Sequence, residues 1–155
     1  MTTTNGYRVR VAIAAALVAF GFTKLLAQLF LGNWQVLSAG QSDIAARGIW
    51  LLAAVLPEIA VGSVALSLGV VVTLTRRTGE SLPTRLLVAG LGAVVGAALV
   101  VLGADPTVLA LKLLPWSSSF AYHAVSAIVA LVVLCVGIVG AVRLARASRL
   151  TPAAA

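Results

Sequence analysis

Residues 119–149 read SFAYHAVSAIVALVVLCVGIVGAVRLARASR, with no Asp, Glu, Lys or Arg before Arg143 and three arginines from there on, Arg143, Arg146 and Arg149. An α-helix needs about 20 apolar residues to cross the hydrocarbon core of a bilayer. Arginines directly beyond such a run resist translocation and favour the anionic cytoplasmic leaflet. The stretch therefore predicts a spanning helix over about residues 119–142 that ends inside the cell.

Three further apolar runs precede it, over about residues 9–31, 48–74 and 86–102. Arg8 and Arg10 stand before the first, and Arg76, Arg77 and Arg85 separate the second from the third. With the three C-terminal arginines, eight of the eleven basic residues fall on one side. Arg47 and Lys112 occupy the alternate gaps, and Lys24 lies inside the first run. This split predicts an all-α, polytopic membrane protein, a four-transmembrane-helix bundle with both termini cytoplasmic. Trp34, Trp50 and Trp116 fall at the opposite boundaries, where indole favours the headgroup region.

Composition supports the same class. The 155 residues are 61% hydrophobic and 10% charged, with a mean hydropathy of +1.12, whereas soluble domains carry about 25% charged residues. The whole of 1–155 reads as one transmembrane domain. The net charge of +7 comes from residues flanking apolar runs, which makes them lipid-facing anchors and not a nucleic-acid surface. Cys135 is the only cysteine, so an internal disulfide, a CxxC redox pair and a cysteine-only metal site are excluded. A signal peptide is the rival reading of the N-terminus, but Lys24 interrupts any cleavage region and apolarity resumes through Leu31. A retained first helix is expected.

Between the runs, Ser42 or Asp43 can cap the second helix, and Pro57 is expected to kink it. Residues 107–116 are apolar but too short to cross, and should lie along the outer interface before the fourth helix. The tail, 151–155, is expected to be disordered. Small residues mark where lipid-embedded helices approach closely. Ala54, Gly62, Ala65 and Gly69 share one face of the second helix; the third has a GxxxG at Gly92 and Gly96; the fourth offers Ala127, Ala130, Gly137 and Ala141. Gly62, Gly92, Gly96 and Gly137 are thus the expected packing positions, with internal packing the simpler use.

Lys24, Glu58 and His123 are ionisable and lie within the spans, where each normally faces the bundle interior and has a partner. Counted from the tryptophan boundaries at 1.5 Å per residue, they sit about 15, 12 and 10 Å deep, in the outer half of the bilayer. Gln28 lies one turn from Lys24, and Ser119 and Ser126 flank His123. Glu58 shares the small-residue face, so the expectation is a buried Lys24–Glu58 pair with His123, Gln28 and Ser126 nearby. Such a pair either sets helix register or contacts a ligand, and the residues leave both open. His123 has the plainer reading of a hydrogen-bonded interfacial side chain. One His and one carboxylate do not complete a metal shell, so no metal is expected, and Cys135 reads as packing.

These residues carry a resemblance to the DoxX/MauE-like group of small four-helix membrane proteins. Arg10 followed by Phe20-Gly21-Phe22-Thr23-Lys24-Leu25 resembles that group's Arg…Phe…Gly-x-x-Lys-Leu signature. Leu56-Pro57-Glu58-Ile59-Ala60-Val61-Gly62 is similar to its Pro-x-x-Glu-x-x-x-Gly pattern, with Glu58 directly after the proline here. The resemblance covers roughly the first half of the chain. It implies association with redox systems, as thiosulfate:quinone oxidoreductase partners or maturation factors for disulfide-rich enzymes, and admits a quinone as ligand. Without paired cysteines, direct thiol exchange is not supported.

The resulting expectation is a non-catalytic accessory subunit or assembly factor of a redox-associated complex in a bacterial cytoplasmic membrane, contacting lipids and a protein partner, with no nucleic acid. The alternative is a small transporter or lipid/quinone-binding protein with its site in the outer half. An enzyme is disfavoured, because no nucleophile–base pair or metal cluster is visible.

Overall fold

The computed structural model describes residues 4–37, 44–75, 81–113 and 119–149. They form α1 (Thr4–Leu37), α2 (Ile44–Leu74), α3 (Leu82–Val101), a short α4 (Pro106–Lys112) and α5 (Ser119–Arg149). Among the described residues, four helices are long and apolar enough to cross a membrane: Asn5–Phe30 within α1, Val55–Leu74 within α2, α3 itself, and Ala121–Ala147 within α5. This is the make-up of a multi-pass membrane protein.

The helices run past the expected boundaries for identifiable reasons. α1 continues through Gly32 and Asn33 to Leu37, because a glycine stops a helix by turning left-handed and among the described residues only Gly103 does so, at φ 71°. α2 passes through Pro57. α3 starts at Leu82, earlier than residue 86, because Ser81 caps it by accepting from the Thr84 amide and Pro83 suits the first turn. α5 carries Arg143 and Arg146 on its last turns. The expected caps Ser42 and Asp43, residue Trp116 and the 151–155 tail lie outside the described residues.

The centre of the bundle is α1. Its span is 50% buried inside the protein, against 17–28% for the others, and α5, α3 and α2 all pack on it. The cause is a run of small side chains: Ala14, Ala15, Val18 and Ala19 are buried against Val71 of α2, Ala89 and Ala93 of α3, and Leu134 and Ala141 of α5. Gly92 and Gly96 seat α3 directly on the carbonyls of Ala12 and Ala16, where any added Cβ would collide. A Cβ added at Gly137 of α5 would lie 2.9 Å from the Val18 backbone nitrogen, and one added at Gly21 of α1 would lie 2.8 Å from that of Leu134. Three of the four expected packing glycines thus hold the bundle. Gly62 does not: it is exposed, and an added Cβ there meets nothing within 4 Å.

The pairings set the directions. Gly92 on Ala12 and Gly96 on Ala16 make α3 parallel to α1. Tyr7 donates to the Thr75 carbonyl at 2.7 Å, making α2 antiparallel to α1, and Gly137 on Val18 with Leu134 beside Gly21 does the same for α5. The start of α1 and the end of α5 therefore share one end of the bundle, with Arg10 and Arg143 lining a common groove.

Candidate functional site

The polar cluster begins with Lys24, whose side chain is 1% exposed. Its partner is Asp105, not Glu58. The Lys24 Nζ stands 2.5 Å from Oδ2 of Asp105, itself 5% exposed, and also donates to the Thr107 hydroxyl. The Thr107 hydroxyl and amide in turn donate to Oδ1 of Asp105 at 2.7 and 2.8 Å. The carboxylate thus caps α4 while it neutralises the ammonium, and the Phe20 ring lies 5.8 Å from Nζ as a cation–π neighbour. Every polar group in this clasp is engaged by another, which a buried charge requires.

The expected Lys24–Glu58 pair fails on direction around the helix, not on depth. Because α2 runs antiparallel to α1 with Tyr7 against Thr75, Glu58 does reach the level of Lys24. However, the face of α2 turned inward is Ser63, Ser67, Val71 and Thr75, each one turn from the next. Glu58 precedes Ser63 by five residues, about 140° round the helix at 3.6 residues per turn. Glu58 is exposed, as are Val61, Gly62, Ala65, Leu66 and Gly69. Of the expected small-residue face, Gly62, Ala65 and Gly69 point outward, and the Ala54 side chain lies outside the described residues. Ser67 and Thr75 donate to the carbonyls of Ser63 and Val71 in their own helix, both at 2.6 Å, so their hydroxyls are satisfied while buried, and Tyr7 ties this face to α1 through the Thr75 carbonyl.

Asp105 lies beyond the expected third span, 86–102, and is not among the expected site residues. The signal that could have found it is its place in Asp105-Pro106-Thr107, an N-cap motif just past the C-terminal end of α3, which runs parallel to α1. The parallel register brings that turn to the level of Lys24.

One turn along α1 from Lys24, the Gln28 side-chain amide is hydrogen-bonded to Nδ1 of His123 at 2.6 Å. The His123 ring meets Tyr122 edge-on, with centroids 5.3 Å apart. Ser126 is buried and its hydroxyl has no protein partner. The structure therefore joins Gln28 to His123 and places Ser126 nearby on α5, but leaves Glu58 out. Cys135, expected to pack, is exposed on α5.

What this arrangement can do is lock: Lys24–Asp105–Thr107 ties the α3–α4 turn to α1, and Gln28–His123 ties α5 to it. No family model, curated protein or solved structure matches the chain.

Proposed function

We propose that this protein is a non-catalytic subunit of a bacterial cytoplasmic-membrane complex, and that the Glu58 face of α2 receives a helix of its partner. The observation that carries the reading is a carboxyl on an outward face of a membrane-spanning helix, beside Gly62, Ala65 and Gly69. A charge facing lipid is expensive and is normally matched by a partner group. Small residues at three- and four-residue spacing let a second backbone approach closely enough to supply one. By contrast, Lys24 is satisfied within the chain, so its clasp serves the fold.

The DoxX/MauE-like resemblance, whose signature includes both Lys24 and Glu58, makes a redox system the first place to seek that partner. Both termini are cytoplasmic in this reading, because the arginines cluster at the end shared by the start of α1 and the end of α5. A photo-crosslinker at Val61, beside Glu58, tests the proposal in native membranes, with Leu131 on the exposed side of α5 as control. The expected result is one stoichiometric adduct from Val61, lost in Glu58→Leu and absent from Leu131. Crosslinking to lipid alone from both positions would overturn it.

The second reading is a ligand site in the outer half, for a quinone or small amphiphile. The unpartnered Ser126 hydroxyl, one turn from His123, favours it. A quinone retained on purification and lost in Ser126→Ala would support it over the subunit reading.

A further inference from the structure

At the end of the bundle opposite the Lys24 clasp, the outer surface of the packed α1–α5 pair carries an apolar groove of about 400 Å³. Ile13, Ala14 and Leu17 form one wall, Val136 and Leu144 the other, and Arg10 and Arg143 stand at the same end of it. We infer that this groove is a binding site for an anionic phospholipid, with its phosphate between Arg10 and Arg143 and one acyl chain lying against α1 and α5.

The glycines of α5 make the groove. Gly137 is required by close packing, since an added Cβ would sit 2.8 Å from a Val18 methyl. Gly140 has no such reason: nothing lies within 4 Å of its would-be Cβ, although it lines the groove. Its missing side chain leaves a trough where the two helices could otherwise have been filled in. The volume lies at the lower end of the range of about 300–1,000 Å³ typical of ligand pockets, which suits a single chain and not a whole diacyl body.

The charge pattern selects the head. Arg10 and Arg143 come from different helices, are both exposed, and reach the same mouth. Two planar guanidiniums suit the several oxygens of a phosphate, and Arg binds phosphate bidentately. Basic pockets between transmembrane helices bind anionic headgroups in this manner. A topology anchor alone requires no trough beneath it and no convergence of two helices.

The test is native mass spectrometry of the full chain in mild detergent, titrated with phosphatidylglycerol and with phosphatidylcholine of identical acyl chains. The expected result is at least tenfold preference for phosphatidylglycerol. Arg10→Gln with Arg143→Gln should abolish that preference, whereas Arg146→Gln, an exposed arginine that does not line the groove, should leave it intact. Gly140→Leu should weaken both lipids tenfold without lowering the melting temperature, because its side chain enters open space. Equal binding of the two lipids by the native chain, or a preference that survives the double arginine variant, would overturn the inference. So would displacement of phosphatidylglycerol by equimolar oleate, which would assign the groove to a carboxylate amphiphile.

Discussion

At the scale of single residues, the chain separates a buried charge that is satisfied from an exposed one that is not. Removing one partner of a buried ion pair costs about 3–5 kcal/mol, because the other charge is left stranded. Lys24→Met and Asp105→Leu should each lower the detergent melting temperature sharply, while the double variant recovers much of the loss, since apolar replacements of buried pairs are often neutral. Glu58→Gln should leave the melting temperature of the isolated protein unchanged. Equal destabilisation by Glu58→Gln and Asp105→Leu would restore the pairing expected from sequence.

At the scale of elements, glycine has two roles that look alike in sequence. Gly96 lets α3 rest on the Ala16 carbonyl, so Gly96→Val should overpack this contact at a cost of about 1–3 kcal/mol. Gly62→Val places its side chain on the open face of α2 and should leave the melting temperature of the isolated chain unaltered while weakening partner association. Thermal melts of the two variants beside the Val61 crosslink yield separate these roles. If Gly62→Val melts as low as Gly96→Val, the outward face of α2 is misassigned.

At the scale of the whole molecule, the placement of the arginines in the sequence predicts a sidedness that labelling tests. In a Cys135→Ser background, Thr78→Cys should resist an impermeant thiol reagent in intact cells and react once the membrane is opened. Labelling in intact cells would reverse the orientation. The membrane class was legible from sequence alone, because hydropathy and arginine placement are one-dimensional properties that lipid reads segment by segment. Gly92, Gly96 and Gly137 stand where the sequence placed close helix contacts. Which face of each helix turns inward was not legible. Small residues permit close approach by any neighbour, whether within the chain or outside it, so the stripe at Gly62, Ala65 and Gly69 looked like core. In the packed bundle α2 instead turns Ser63, Ser67, Val71 and Thr75 inward, with Tyr7 bonded to the Thr75 carbonyl, and α3 runs parallel to α1 so that Asp105 arrives beside Lys24. Partner choice in a bundle is a matter of angle and register between helices, and those exist only once the helices have packed.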